Sequence, residues 1–246
     1  MEIIRSKTNS VVKEAKKLHL KKYRQSSYLI EGWHLLEEAE NSGAVIEQVF
    51  VLEEFVDRVR QFSSIKVMSR EILMDLAGSQ TPQGVVAQIA LPRQKLPDKL
   101  LGKYLLLEDV QDPGNVGTMI RTADAAGYDG VFVSSKSADL YSLKVLRSMQ
   151  GSHFHLPVYR VETIELIDWC KEQEVSILAT TLSKNSVSYR TVPSRESFVL
   201  VMGNEGQGIS SLMTDKADQL IHIDMSGQAE SLNVAVAAGI LMFSLL

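Results

Sequence analysis

At 246 residues, 45% hydrophobic and 23% charged, the chain has the make-up of an ordinary water-soluble protein, with material for one large or two modest domains. Cys170 is its only cysteine, which excludes an intrachain disulfide and suits a reducing, cytoplasmic compartment. A net charge of -4 weighs against a nucleic-acid surface covering the whole protein, and neither the first residues nor the apolar C-terminal run has the length of a signal peptide or a bilayer span, so no membrane role is expected.

The charge is unevenly spread. The opening segment holds Arg5, Lys7, Lys13, Lys16, Lys17, Lys21, Lys22 and Arg24 against only Glu2 and Glu14. Charge alone leaves a solvated helix face and an RNA-binding face equally open. Helical patterns at residues 11–19, 33–40 and 71–77 alternate with apolar runs at 28–30, 49–52, 66–68 and 85–89, which predicts a small α/β domain over residues 1–95. Two prolines and a charge cluster across 91–99 interrupt the pattern and read as a linker to a second domain, 96–246.

In that second domain, strand candidates recur at 104–108, 130–133, 156–159, 176–180, 198–202 and 219–223, with helical stretches between most of them. Their near-continuous apolarity predicts a parallel sheet covered on both faces, and ligands of such sheets gather at the carboxyl ends of the strands. Glu108-Asp109, Thr180-Thr181, Gly203-Asn204 and Ile223-Asp224 all fall there. The stretch 151–157 is read as extended, so His153 and His155, two residues apart, would point to opposite faces; with no second cluster of ligating groups, no metal site is expected. From Val234 onward the chain is apolar almost all round, so the final helix must be buried by the fold or by another subunit.

Three blocks carry the chemistry. The first is Asp112-Pro113-Gly114-Asn115-Val116-Gly117 with Arg121 following, the second Gly203-Asn204-Glu205-Gly206-Gln207-Gly208, and the third runs over 225–237 and contains Ser231-Leu232-Asn233. Taken singly, each has a bland reading: a turn and a capped helix, a tight glycine loop with a surface carboxylate, and helix-capping side chains. The 203–208 loop lacks the lysine of a phosphate-binding loop and follows a late strand, so a dinucleotide fingerprint fits poorly.

Together and in this order the three blocks resemble the SpoU (TrmH-type) family of RNA ribose 2'-O-methyltransferases, in the knotted class of S-adenosylmethionine enzymes, over nearly all of residues 104–246. Asn9, Glu31-Gly32 and residues 81–87 also resemble the ribosomal-protein-like substrate-binding domain that precedes it in many members. The resemblance implies a deep trefoil knot in the parallel-sheet domain and a homodimer packed through the knot region. It implies S-adenosylmethionine held largely by main-chain groups around Gly203, Asn204, Gly208, Ile223, Met225 and Leu232, with Thr180 at a neighbouring strand end. Arg121, Asn115, Glu205, Ser231 and Asn233 are the implied catalytic set, with Arg147 and Ser148 bordering the site. RNA would be chosen by the basic first domain through Arg5, Lys7, Asn9, Lys13, Lys17 and Arg24, ribosomal RNA before transfer RNA, with no DNA expected.

A guanidinium with a pKa above ~12 is rarely neutral, so orientation and alkoxide stabilisation suit Arg121 better than general-base catalysis, with Glu205 and Asn233 expected to fix its geometry. Two other classes stand beside this reading: a non-catalytic RNA-binding factor that keeps the fold, and a nucleotide-binding enzyme with a small substrate. The intact catalytic set argues against the first and the basic opening segment against the second. One departure stands out. Asp224 occupies the position where the family usually has proline, which loosens a backbone constraint beside the cofactor pocket.

Overall fold

A computed structural model describes residues 2–79, 81–93 and 95–245. The chain forms two compact units, Met1–Arg93 with Asp139–Phe154 and Gln94–Ala138 with His155–Leu246.

In the first unit, helix α1 (Ser10–Lys17) opens behind Asn9, whose side chain accepts a hydrogen bond from the Val11 amide at 2.9 Å. Strand β1 (Ser27–Glu31), helix α2 (Trp33–Asn41), strands β2 (Ile46–Leu52) and β3 (Ile65–Met68), helix α3 (Arg70–Ala77) and strand β4 (Val85–Ala90) follow. The sheet order is β1-β4-β2-β3, with only β2 and β3 parallel. Val12 and Ala15 of α1 meet Ile72, Leu73 and Leu76 of α3 over Phe50, Met68 and Val86 of the sheet, and this apolar layer fixes the unit.

The second unit runs β5 (Lys103–Leu107), α4 (Pro113–Ala125), β6 (Gly130–Ser134), then, after α5 (Leu143–Met149) has joined the first unit, β7 (Val158–Val161), α6 (Thr163–Glu172), β8 (Ser176–Thr180), β9 (Val187–Ser188), β10 (Phe198–Met202), α7 (Ser211–Lys216), β11 (Gln219–His222) and α8 (Val234–Ser244). All its strands are parallel, in the order β7-β6-β5-β10-β8-β11-β9. Every residue of β6 and β10 is buried, as expected of strands covered on both faces. Leu106, Phe132, Ile167, Ile177, Val199 and Val201 form the core, joined by Cys170, whose burial pushes its thiol pKa up to about 12. Consecutive strands run outward from β5 through β6 to β7, whereas β10 and β8 lie on its other side, so the order reverses beside β5, the place where ligands of such sheets are expected.

One sequence expectation needs correction. The stretch read as extended around His153 is a short 3-10 turn, Ser152–Phe154, and β7 begins only at Val158. Within the structure, the segment Asp139–Phe154 groups with the first unit. Its attachments are specific: the Arg24 side chain, 3% exposed, is ion-paired with Asp139, the Tyr28 hydroxyl lies 2.9 Å from His153 Nε2, and His34 Nε2 lies 3.1 Å from the Gln150 carbonyl. Among the described residues no helix is long and apolar enough to cross a membrane.

Candidate active site

The candidate site is built from strand ends. After β5, Glu108 is buried and accepts hydrogen bonds from the Ser210 amide (2.9 Å) and hydroxyl (2.7 Å), tying the far end of the glycine loop to this strand. Asp109 takes a left-handed conformation, φ 57°, held by its amide donating to Ser134 Oγ at 2.8 Å and by that hydroxyl donating to Asp109 Oδ1 at 2.7 Å. The chain then turns into α4, where Asp112 is the N-cap, accepting from the Asn115 amide at 2.9 Å, and Pro113 occupies the first turn. Sequence reading placed Glu108 and Asp109 at a strand end without assigning these tethers. A carboxylate directly after the apolar run Leu105–Leu107 was the available signal.

Beyond β10 the glycine loop doubles back on itself. Asn204 and Gly208 exchange two backbone hydrogen bonds of 2.9 Å, and a Cβ on Gly203 would fall 2.3–2.5 Å from the main chain of Gly208 and Ile209. Asn204 shapes the loop: its Oδ1 accepts from the amides of Gly206 (2.9 Å) and Gln207 (3.0 Å), and its Nδ2 donates to the Asp109 carbonyl at 2.9 Å. Glu205 reaches across to the first block, accepting from the amides of Gln111 (3.1 Å) and Asp112 (2.9 Å) and from Asn115 Nδ2 (3.1 Å). Burial pushes its carboxyl pKa up, but the bonds from Asn115, Asp112 and Gln111 together hold it below the ordinary value, so Glu205 is an anion with its lone pairs engaged.

The third block joins the same line. Asn233 caps α8, its Oδ1 accepting from the amides of Ala235 (2.9 Å) and Val236 (3.3 Å), and its Nδ2 donates to Asn115 Oδ1 at 3.2 Å. Glu205, Asn115 and Asn233 are thus one continuous polar chain. Arg121 is exposed on α4 and makes no hydrogen bond or ion pair with any described residue. Glu205 and Asn233 therefore do not hold Arg121, as the sequence suggested; both grip Asn115, nearly two helical turns earlier, and so fix the start of the helix that carries the arginine.

A cavity of about 520 Å³ opens beside this chain, within the size range of ligand sites. Thr180, Gly203, Asn204, Gly208, Ile223, Met225 and Leu232 line it, as do Glu205 and Ser231. Asn115, Arg121 and Asn233 are not in its wall. Leu182, Ser183 and His222 are, and sequence reading missed them. The Thr180 hydroxyl is spent inside the sheet, donating to the Val201 carbonyl at 2.8 Å. Among the described residues no lysine or arginine lines the cavity, a lining poorly suited to a triphosphate. Bare glycine main chain on one wall and Ile223, Met225 and Leu232 on another suit a ligand with a flat, weakly polar ring and several hydrogen-bonding edges, such as an adenine nucleoside. S-adenosylmethionine has that chemistry.

In the first unit, the expected RNA-binding residues divide. Lys7 pairs with Glu71 at 2.9 Å, Lys17 with Glu14 at 2.7 Å, and the Asn9 side chain is used as a helix cap. Arg24 is buried in its pair with Asp139 and cannot meet a phosphate. Arg5 and Lys13 are exposed and, among the described residues, unpaired. Arg147 donates to the Leu143 carbonyl at 3.1 Å and Ser148 to that of Lys144 at 3.0 Å; neither lines the cavity. His153 bonds to Tyr28, whereas His155 Nδ1 lies 3.2 Å from Asp124 Oδ2.

Comparison with known proteins decides the family. The SpoU rRNA Methylase family profile matches residues 102–243, and an MRM3-like substrate binding domain profile matches residues 9–87. The chain belongs to the SpoU rRNA methylase family. It is 42% identical over 249 residues to the 23S rRNA (guanosine(2553)-2'-O)-methyltransferase RlmP of Bacillus subtilis (strain 168), covering 100% of this chain and 99% of that protein. Among solved structures, an AdoMet-bound rRNA methyltransferase from Sinorhizobium meliloti superimposes with a TM-score of 0.89 at 32% identity, covering 99% of this chain and 97% of the other. The SpoU methyltransferase AviRb from Streptomyces viridochromogenes in complex with AdoMet gives 0.87 at 26%, covering 96% and 97%. As a SpoU methylase, the chain has the trefoil-knotted α/β domain preceded by a smaller one, uses S-adenosylmethionine, and is an RNA ribose 2'-O-methyltransferase.

Proposed function

We propose that this SpoU methylase methylates the ribose 2'-hydroxyl of one guanosine in 23S ribosomal RNA, and that it does so as a homodimer. The observation that carries the reading is the Glu205–Asn115–Asn233 chain, which ties all three motif blocks together beside a cation-free cavity and on the helix that bears an unpaired arginine. Full-length similarity to RlmP supports both the RNA class and the nucleotide.

The bound cofactor supplies a methyl group already made electrophilic by its sulfonium, so the protein's task is alignment. The 203–208 loop and residues 223–232 would hold the cofactor. Arg121 offers a planar fork of donors to a ribose or phosphate oxygen and stabilises negative charge as it develops on the attacking oxygen. The guanidinium keeps its own protons, and the hydroxyl proton leaves to a phosphate oxygen of the RNA. The exposed, unpaired Arg5 and Lys13 give the first unit its cations for the RNA backbone.

Val236 (53% exposed), Ile240 (37%) and Phe243 (53%) form an apolar stripe at i, i+4, i+7 spacing on α8, which supports burial of that helix against a second copy. Two measurements test the proposal. Mapping of 2'-O-methyl groups in cells with and without this chain should show one guanosine of 23S rRNA losing its mark, restored by the wild type and not by Arg121→Ala. An unchanged ribosomal pattern, or loss confined to transfer RNA, would contradict the substrate. Sedimentation should give a dimer for the wild type and a monomer for Phe243→Asp; a monomeric wild type would refute the assembly.

A further inference from the structure

Asp224 lies just after β11, between two residues of the cavity wall, Ile223 and Met225. Its carboxylate accepts a hydrogen bond from the Ser188 hydroxyl and stands 3.5 Å from Nε2 of His222, itself a wall residue. On the other side of that imidazole, Nδ1 is 2.9 Å from Ser186 Oγ. The Ser186 hydroxyl donates to the Ser183 carbonyl at 2.6 Å, which leaves Nδ1 as the donor to Ser186, so Nε2 meets the Asp224 carboxylate as a donor only in the imidazolium. Ser183 also lines the cavity. Side chains therefore stitch residues 183–188 to residues 222–224 along one rim.

Backbone pairing alone holds that rim weakly. Strand β9 has two residues at the sheet edge and meets β11 only at Ile221↔Val187 and His222↔Ser188. From Ile223 until Asn233 caps α8 the chain has no regular structure, so no strand or helix fixes the main chain at Ile223 and Met225. A proline at 224 would stiffen this stretch through its ring. Here the stiffening comes from hydrogen bonds, and the Ser188 hydroxyl, helped by His222 and Arg190, holds the Asp224 carboxyl below its ordinary range, ionised near neutral pH.

We propose that Asp224 is a positioning residue for cofactor binding, which through Ser188 sets the backbone of Ile223 and Met225 at the cavity wall. The inference rests on the cavity being the S-adenosylmethionine site. The test uses the full-length protein and its RNA, with cofactor affinity from calorimetry and steady-state kinetics for wild type, Asp224→Ala, Ser188→Ala and the double variant. Each single change is expected to raise Kd and KM for S-adenosylmethionine roughly three- to tenfold, the scale of one charge-assisted hydrogen bond at a half-exposed site. Meanwhile kcat at saturating cofactor and KM for RNA should stay within about twofold. The double variant should be no weaker than the weaker single one, because both remove the same link. Wild-type affinity in Asp224→Ala, additive losses in the double variant, or a fall in kcat without a rise in cofactor KM would each overturn the assignment. Failure of the wild type to bind S-adenosylmethionine would instead sink the reading of the cavity itself.

Discussion

Replacing Arg121 with lysine is expected to slow methyl transfer on the order of 10²-fold or more while leaving S-adenosylmethionine affinity within about twofold. Lysine keeps the positive charge but loses the planar fork, and Arg121 is absent from the cavity wall, so binding and chemistry should separate. Arg121→Ala should be at least as slow. The measurement is single-turnover methylation with saturating RNA and cofactor, which removes binding defects from the rate. A lysine variant with a near-normal rate would return Arg121 to the status of an ordinary exposed helix residue. Changes at Asn115 or Glu205 should behave differently from those at Arg121, because they loosen the 111–115 turn and the glycine loop together and so should disturb cofactor affinity as well as rate.

Gly203→Ala should all but abolish cofactor binding, raising the dissociation constant by about 10²-fold or more. The added methyl would meet main chain, Gly208 C at 2.3 Å and Ile209 N at 2.4 Å, and no rotamer change can relieve a contact with backbone. The loop must open, which breaks the paired Asn204–Gly208 hydrogen bonds and draws Glu205 away from Asn115. Gly227→Ala is the control, since a Cβ there meets nothing within 4 Å. Calorimetric titration of the two variants, with melting curves to verify folding, checks the contrast; an unaltered cofactor isotherm for folded Gly203→Ala would show that the loop's tight reversal is not what forms the site.

Much of this architecture is legible in the chain because parallel strands buried on both faces, such as β6 and β10, must be written as unbroken apolar runs, and because ligand groups then have to fall just after them. The glycine loop was found that way, whereas the residues of the third block were singled out by their likeness to the family. What spacing cannot convey is who holds whom across 90 or 118 residues of sequence, the separations of Glu205 and Asn233 from Asn115. Glu205 and Asn233, expected to fix Arg121, bond to Asn115 instead. Strand β9 escaped notice because Val187-Ser188 is too short to make a pattern and owes its pairing to β11 and to side chains around His222. The knot left no trace in composition or periodicity at all; only the likeness of the three blocks to a family pointed to it.

The allegiance of residues 139–154 bears on how the polypeptide comes into being. During synthesis α1 to β4 emerge first, but the partners of Arg24 and Tyr28 are Asp139, Tyr141 and His153, which are made only after β5, α4 and β6. The nascent N-terminal body thus waits, with a guanidinium and a tyrosine ring uncovered, until well over half of the chain has been translated. A fragment cut after residue 93 would be arrested in that same state, its Arg24 guanidinium without the Asp139 counter-charge.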